Sequence, residues 1–293
     1  MRFARLAGVI LVTGATGMFG SRVARESAAR GAKVRGLVHS PEKATTLTED
    51  GIEPVAGDLD RPETLTAALD GVERVFLVTP MDDRIAERES GLITAAKQAG
   101  VSQVVKLHGA VRHRGDPLDQ EHQAAIAALK SSGLSWTIFS PQTVMETNLL
   151  SQAEAIKQTG AIWGCAGDGR VGMVAADDCG RAGAVVMTTD GHEGREYAIT
   201  GPAALTFSEA AEVLTRALGR PVAYKDLSEE DFKAVLVQQA GMTAEQAEIG
   251  VLMHYRAFKR GDGDRLTDDY QRLTGQPPTT LEAWATAHAQ AFS

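Results

Sequence analysis

The chain has 293 residues and a formal net charge of −8, and its composition is 43% hydrophobic and 23% charged. This length predicts one large α/β domain, or one domain with a smaller lobe, and the acidic balance gives no electrostatic basis for binding nucleic acid. No apolar stretch is long enough to cross a bilayer, and Cys165 and Cys179 lack metal-ligand spacing. We therefore expect a reduced, cytoplasmic chain without a metal site or a membrane contact.

A strand, a glycine turn and a helix follow one another near the start of the chain. The apolar run 9–12 predicts a buried strand, and the pattern over 21–30 predicts a helix. Between them, Gly14, Gly17 and Gly20 are spaced G-x-x-G-x-x-G. Glycines let the backbone approach a diphosphate closely, and a helix N-terminus presents free N–H groups to it. The context predicts a dinucleotide-binding turn; a glycine turn without a ligand is the alternative.

The second predicted strand, 33–38, ends without an acidic side chain. In dinucleotide folds an acid at this place binds the ribose 2′-hydroxyl and repels a 2′-phosphate. Here the chain has His39, Ser40 and Lys43, which suit a phosphate better than a diol. The pattern favours NADP(H) over NAD(H). The alternative is that Arg35, His39 and Lys43 are solvated residues at the edge of the sheet.

The next two strands bring further loops to the same carboxyl edge of the sheet, where doubly wound folds bind their ligands. The third strand, 54–59, contains Asp58, which either accepts a hydrogen bond from an adenine amino group or caps local backbone. A helix over 63–69 follows it. The fourth strand, 72–78, leads into the loop Thr79-Pro80-Met81.

Two more strands and their helices complete the alternation. A helix over 85–99 precedes the fifth strand, 103–107, which delivers His108, Gly109 and Ala110 to the carboxyl edge. A helix over 119–131 precedes the sixth strand, 136–139, which runs into Ser140 and Pro141. Regular alternation of strand and helix predicts an α/β fold with a doubly wound, Rossmann-type parallel sheet and right-handed crossovers.

The pattern changes from about Val144, and the remaining chain is mostly helical. Helices are predicted over 148–158, 177–188, 206–218, 228–239 and 243–258, with a loop or hairpin over 160–172, a last strand over 196–199 and a tail over 280–292. We predict a dinucleotide-binding domain from 1–145 with a returning strand near 195–200. Residues 146–194 and 201–293 then form a smaller substrate lobe that covers the nicotinamide end.

A series of segments in chain order resembles the NmrA-like group of atypical short-chain dehydrogenases/reductases. The segments are Thr13-Gly14-Ala15-Thr16-Gly17 with Gly20, then 34–44, 56–59, 132–134 leading into 137–141, 144–150, 197–224 and 273–284. Members of that group include NADPH-dependent quinone and azo-compound reductases and also nucleotide-sensing regulators without turnover. The resemblance implies bound NADP(H) and a small-molecule acceptor, in a monomer or a homodimer. The group usually has an NADP-binding arginine where this chain has His39.

The chain departs from the wider superfamily at the positions that usually protonate the substrate. The superfamily commonly uses a tyrosine with a lysine four residues later, and alignment through 132–134 places His122 and Ile126 there. The superfamily serine at the end of the fifth strand corresponds to His108. The near-neutral reference pKa of histidine suits general acid work, so His122 and His108 are the candidate catalytic residues. The alternative for each is a histidine hydrogen-bonded in a pocket wall.

The remaining candidate site residues follow from the strand ends and from the resemblance. Those expected to bind the cofactor are Thr13, Gly14, Thr16, Gly17, Met18, Phe19, Gly20, His39, Ser40, Lys43, Asp58, Leu59, Val78, Thr79, Pro80, His108 and Gly109. Those expected to line the substrate pocket are Met81, Ser140, Gln142, Met145 and Trp163. For the methionines and the tryptophan, core packing is the alternative.

Two functions of different class fit these observations. The first is an NADPH-dependent reductase of quinone-like, azo or other conjugated or imine-type acceptors, which need less help from the protein than a ketone does. The second is a sensor that binds NADP(H) and signals to a protein partner without turnover. The missing tyrosine–lysine dyad supports the sensor, and the full-length substrate lobe supports the enzyme, which is the function we predict.

Overall fold

The computed structural model describes residues 8–39, 44–111 and 116–293. Two residues predicted to bind the 2′-phosphate, Ser40 and Lys43, lie outside these ranges. No helix within the ranges combines the length and the apolar character needed to cross a bilayer.

Nine strands in the described ranges form two parallel sheets. They are β1 Val9–Val12, β2 Lys33–Val38, β3 Glu53–Ala56, β4 Val72–Leu77, β5 Gln103–Leu107, β6 Ser135–Pro141, β7 Ala161–Gly164, β8 Arg195–Ile199 and β9 Ala223–Asp226. Seven of them form the central sheet in the order β3-β2-β1-β4-β5-β6-β8, with every neighbouring pair parallel. The predicted doubly wound Rossmann-type sheet is confirmed. Its order reverses between β1 and β4, which is where such sheets bind their ligands.

Helices cover both faces of this sheet and build the C-terminal lobe. They are α1 Met18–Ala29, α2 Ala44–Glu49, α3 Thr66–Leu69, α4 Ile85–Gln98, α5 Pro117–Ser131, α6 Met145–Asn148, α7 Ala153–Thr159, α8 Ala176–Thr188, α9 Phe207–Leu218, α10 Glu229–Gln238, α11 Ala244–Ala247, α12 Met253–Lys259, α13 Asp269–Thr274 and α14 Leu281–Ala287. Helices α1 and α8 pack on one face of the sheet, around Val23 and Cys179. Helices α4 and α5 cover the other face, around Leu92 and Leu129.

The second sheet belongs to a separate hydrophobic core that includes Phe207, Tyr255 and Trp284. In it β7 pairs in parallel with β9, so that Ala161 lies opposite Ala223. The predicted loop or hairpin over 160–172 is therefore wrong where β7 forms. A strand whose partner lies some sixty residues further along the chain has no local signal. The predicted division into domains at residue 145 agrees with two separate cores and stays a prediction.

Several predicted helix boundaries are wrong. Helix α1 begins at Met18, three residues before the predicted start. The helix expected over 148–158 is divided between α6 and α7 by a short 3₁₀ turn, Leu150–Gln152. The helix expected over 243–258 contains a π-helical segment, Glu248–Leu252, between α11 and α12. These interruptions arise where the chain packs against the lobe core, because tertiary packing overrides local periodicity.

We expect Gly180→Ala to destabilise the protein even though alanine favours helix. A Cβ at Gly180 in α8 would lie 2.7 Å from the Cβ of Arg22 and 3.2 Å from its carbonyl carbon, so α1 would have to move. The intrinsic gain of about 1 kcal/mol should be outweighed by overpacking of about 1–3 kcal/mol. Urea unfolding followed by circular dichroism measures the difference.

Gly183→Ala provides the matched comparison on the same helix. The three atoms nearest to its added Cβ all belong to side chains, the first being a methyl carbon of Val23 at 2.6 Å, so the backbone of α1 is not directly contacted. We expect a smaller loss there. A rise in the free energy of unfolding of Gly180→Ala would contradict the packing argument.

Candidate cofactor and acceptor clefts

A tight turn joins the end of β1 to the start of α1. Gly14 has φ +56, which favours glycine, and its carbonyl accepts a hydrogen bond from the N–H of Gly17 at 2.8 Å. A Cβ at Gly20 would lie 2.3 Å from the Gly14 carbonyl oxygen, so α1 can approach the turn this closely only with glycine there. The predicted glycine motif thus forms one compact turn.

Thr13 fastens this turn to the neighbouring strand. Its side chain is fully buried, and its Oγ1 donates to the carbonyl of Val78 and accepts from the N–H of Val78, both at 2.7 Å. These bonds hold the loop after β1 beside the loop after β4. Thr13 therefore supports the turn through these bonds, while its own side chain is buried and cannot contact a bound molecule.

The N-terminus of α1 is suited to an anion. Gly17 is the N-cap residue and provides no side-chain cap, and the first turn contains no acidic side chain. The first N–H groups and the positive end of the helix dipole therefore face the cleft without a negative group of the helix itself. A diphosphate fits this end of the cleft.

A cleft of about 530 Å³ opens above this turn, and we call it the cofactor cleft. Most of the residues predicted to bind the cofactor line it, namely Gly14, Thr16, Gly17, Met18, Phe19, Gly20, His39, Asp58, Leu59, Val78, Thr79 and Pro80. The structure adds Leu37, Val38, Gly57, Asp60 and Arg88, which the sequence analysis did not select. Loops after four neighbouring strands thus meet around one elongated space.

Asp58 mainly organises its own loop. Its carboxylate accepts from the N–H of Asp60 at 2.9 Å and from Nε of Arg61 at 3.0 Å. The backbone bond from Asp60 is the largest cause that holds the pKa of Asp58 below its ordinary value, followed by the bond from Arg61. The carboxylate therefore stays charged and caps local backbone, as one of the two sequence-based alternatives expected. Contact with adenine stays a prediction.

Arg88 is a cation at the wall of this cleft that already has acidic partners. Its guanidinium bonds Asp60 at 2.6 Å and Asp82 at 2.7 Å, and the bond to Asp60 is the largest cause that raises the pKa of Arg88. The two carboxylates neutralise Arg88, so its main effect is to hold the loops after β3 and β4 together. His39, at the end of β2, remains the candidate for the 2′-phosphate.

A second cleft of about 300 Å³ adjoins the first, and we call it the acceptor cleft. The two clefts share Phe19 and Thr79. The acceptor cleft is lined by Phe19, Thr79, Met81, Leu107, Gly109, Val111, His122, Pro141, Gln142, Thr143, Val144, Thr147, Asn148, Gly250, Val251, His254 and Tyr255. Its wall is mostly apolar with a few polar groups, as is typical of small-molecule sites.

The predicted substrate-binding residues divide into two groups. Met81 and Gln142 line the acceptor cleft, and Gly109, predicted for the cofactor, lies there too. Met145 is buried in the lobe core, with 1% of its surface exposed, and Trp163 packs against that core. Both positions agree with core packing, the alternative to lining the pocket. Ser140 lies within β6 and is not among the lining residues.

His122 and His108 lie next to each other, but His108, which was also predicted to bind the cofactor, is not among the residues that line either cleft. Their ring centroids are 4.9 Å apart in an edge-to-face arrangement, and the N–H of His108 donates to the carbonyl of Phe139. His122 lines the cleft itself, and its Nδ1 lies 3.3 Å from Nζ of Lys106. The structure thus brings both candidate acids to one place, although catalysis by either stays a prediction.

Behind the histidines lies a buried ion pair that the sequence analysis missed. Lys106 in β5 and Glu89 in α4 have fully buried side chains, and Lys106 Nζ lies 2.6 Å from Oε2 of Glu89. A lysine inside the apolar strand QVVKL was a signal that could have drawn attention to it. Within the described ranges, no group of three His, Cys, Asp or Glu side chains could hold a metal ion.

Residues 7–263 match the sequence profile of the NmrA-like family. The chain is 35% identical over 290 residues to the NAD(P)H azoreductase of Xenophilus azovorans, covering 97% of this chain and 99% of the relative. It superposes on the Citrobacter sp. triphenylmethane reductase complexed with NADP(H) with a TM-score of 0.86 at 29% identity, covering 96% and 99% of the two chains. It also superposes on an NADPH-dependent quinone oxidoreductase from Escherichia coli complexed with NADPH. The TM-score is 0.86 and the sequence identity 30%, and the match covers 95% of this chain and 99% of that chain.

We expect Thr13→Val to weaken both the fold and the cofactor cleft. Valine keeps the shape but leaves the N–H and C=O of Val78 without the Thr13 hydroxyl, at an expected loss of about 2–3 kcal/mol in the free energy of unfolding. The loops after β1 and β4 should separate, and NADPH should bind less tightly. Urea unfolding and nucleotide fluorescence measure the two effects.

Thr48→Val is the matched control for this variant. Its exposed hydroxyl bonds only the carbonyl of Ala44 in its own helix. We expect changes within about 0.5 kcal/mol there. Equal stability of the two variants would show that Thr13 does not fasten the two loops.

Proposed function

Because this chain belongs to the NmrA-like family, we propose that it reduces a conjugated acceptor of quinone-like, azo or imine type with NADPH. At the coarser level it is an NAD(P)H-dependent oxidoreductase, as its relatives are. The observation that carries the finer proposal is the junction of the two clefts at Phe19 and Thr79. A nucleotide in the first cleft would have its reactive end next to an acceptor in the second.

The described residues fit NADP(H). The glycine turn and the uncapped N-terminus of α1 suit the diphosphate, and the end of β2 has His39 in place of an acid. The cleft is long enough to connect both regions, because its lining runs from the end of β2 to the loop after β4. We propose that His39 favours the 2′-phosphate and that Ser40 and Lys43 assist it.

The acceptor cleft suits a flat apolar molecule. Phe19, Leu107, Val144 and Tyr255 offer apolar and aromatic surface, while Asn148 and other polar groups can orient a carbonyl or nitrogen. We propose that Met81 and Gln142 contact the acceptor as well.

The chemistry needs one proton from the protein or from water. Bound NADPH supplies a hydride, which carries two electrons to the acceptor and leaves NADP⁺. The reduced acceptor then lacks one proton, and His122, at the wall of the acceptor cleft, is our candidate donor. Solvent then restores the proton that the protein has given up. Quinone and azo acceptors are already electrophilic, so the reaction does not require a tyrosine–lysine dyad.

The direct test is oxidation of NADPH by the purified protein, followed at the absorbance band of the reduced nicotinamide. The acceptors are a panel of quinones, azo dyes, imines and activated alkenes, and each is run with NADPH and with NADH. Turnover that prefers NADPH supports the proposal and identifies the acceptor class. Tight nucleotide binding without turnover across the panel would contradict it and favour the sensor.

We expect His122→Gln to lower kcat by about 100-fold if the imidazole is the proton donor, with little change in the dissociation constant of NADPH. Glutamine keeps a polar side chain but cannot donate a proton at neutral pH. Steady-state kinetics with the best acceptor and fluorescence titration of NADPH measure the two quantities. His288→Gln is the control, because His288 lines neither cleft. Unchanged kcat in His122→Gln would show that this histidine is part of the pocket wall and not the proton donor.

We expect His39→Ala to raise the dissociation constant of NADPH by about 10-fold and that of NADH by less than about twofold, because only NADPH carries the 2′-phosphate. Fluorescence titrations with both nucleotides test this. Lys33→Ala is the control, since Lys33 is an exposed cation at the opposite end of β2. Combining Lys43→Ala with His39→Ala should weaken the binding of NADPH further. If His39→Ala weakens both nucleotides alike, the assignment of the 2′-phosphate is wrong.

A further inference from the structure

The buried pair of Glu89 and Lys106 connects the two clefts from behind. Oε1 of Glu89 accepts a hydrogen bond from the hydroxyl of Thr79 at 2.9 Å, and Thr79 lines both clefts. Oε2 of Glu89 lies 2.6 Å from Nζ of Lys106, which in turn lies 3.3 Å from Nδ1 of His122. Four side chains from four successive elements thus form one continuous polar chain.

Stability alone gives little reason for this arrangement. Both side chains are fully removed from water. Burial raises the pKa of Glu89 and lowers the pKa of Lys106, and their mutual attraction opposes both shifts. A buried ion pair is often no more stabilising than an apolar pair of the same volume. A role in the adjoining site explains its position better.

We propose that Glu89 and Lys106 are positioning residues that hold the imidazole of His122 in one tautomer, with its proton on Nε2. The role as a proton donor rests on the proposed function: as the Nε2 proton passes to the reduced acceptor, Nδ1 takes a proton from Lys106, so the ring stays neutral, and solvent then reprotonates Lys106. The tautomer does not depend on that role. An ammonium group has three N–H donors and no acceptor. As a charged group beside Glu89, Lys106 can only donate to Nδ1 of His122, which then carries a lone pair, and a neutral ring has its proton on Nε2.

Glu89 has a defined part in this arrangement. Its Oε2 lies beside Lys106 Nζ as a counter-charge without a well-aligned hydrogen bond, and its Oε1 accepts a hydrogen bond from the hydroxyl of Thr79. The same contacts tie the loop that lines both clefts to the helix that carries His122. These contacts therefore hold His122 and the loop of Thr79 in a fixed position relative to each other.

Other ionisable groups also surround His122. His108 contacts the ring edge to face, and His254 of α12 lines the same cleft. Glu121, next to His122 in α5, accepts from the N–H of Ala86 at 2.9 Å and so caps the neighbouring helix. The tautomer that we propose is based on the contact between Lys106 and Nδ1 of His122.

The test is nuclear magnetic resonance of the full chain with ¹⁵N-labelled histidine, at about pH 8, where histidine is ordinarily neutral. Two-bond ¹H–¹⁵N correlations distinguish the tautomers, and the spectrum of His122→Gln identifies the His122 signals. We expect the wild-type ring in the Nε2–H tautomer. A wild-type ring in the Nδ1–H tautomer, or a mixture, would overturn the proposal.

The double variant Glu89→Gln/Lys106→Met removes both charges and the donor while keeping similar volume. We expect His122 to lose the single-tautomer pattern, and kcat to fall by about 10-fold. The KM for NADPH should be unchanged, because the side-chain oxygen of glutamine can still accept the hydrogen bond from Thr79 at the cofactor cleft. Circular dichroism establishes that the variant is folded. A folded variant whose His122 keeps the Nε2–H pattern would overturn the proposal; if the variant does not fold, the wild-type spectrum decides.

Asp190→Asn is the matched control. Asp190 pairs with the buried guanidinium of Arg74, outside both clefts. We expect its removal to change stability but to leave the His122 signals and kcat unchanged. The spectrum is independent of turnover, so a protein that reduces none of the acceptors would contradict the proposed function while the tautomer remains measurable.

Discussion

The close approach of α1 to the end of β1 is the contact on which both clefts depend. Any side chain at Gly20 would meet the carbonyl of Gly14, so the helix reaches this position only because the residue has no Cβ. The approach places the N-terminus of α1 under the cofactor cleft and puts Phe19 in the wall of both clefts. Thr13 then joins this turn to the loop after β4.

The acceptor side of the junction combines an apolar cleft with a buried polar chain. The cleft offers an acceptor apolar surface, and its histidines are the nearest candidates for proton transfer. The pair of Glu89 and Lys106 lies behind them, where its charges are not exposed to the acceptor. This separation lets the site stay apolar while the orientation of one imidazole is determined by charge-assisted bonds.

Much of the fold and most of the cofactor cleft were predictable. The alternation of apolar strands and helices predicts the parallel sheet, and parallel strands bring their carboxyl ends to one edge, so Asp58, Val78 and Thr79 could be grouped from sequence. The lining of the acceptor cleft could be predicted only in part, and substrate contact stays a prediction. Met145 packs in the lobe core, and the acceptor cleft includes His254 from a segment 132 residues beyond His122. Local periodicity contains no information on such distant pairings.

The sequence by itself determined the class of fold, the place of the glycine turn and the lack of an acid at the end of β2. These features depend on local residue type, because glycine, apolar alternation and charge act within a few positions of the chain. Only the tertiary structure decided that β7 pairs with β9, that two clefts meet at Phe19 and Thr79, and that Lys106 faces His122. Those contacts join residues far apart in the chain, and close packing of whole elements selects them.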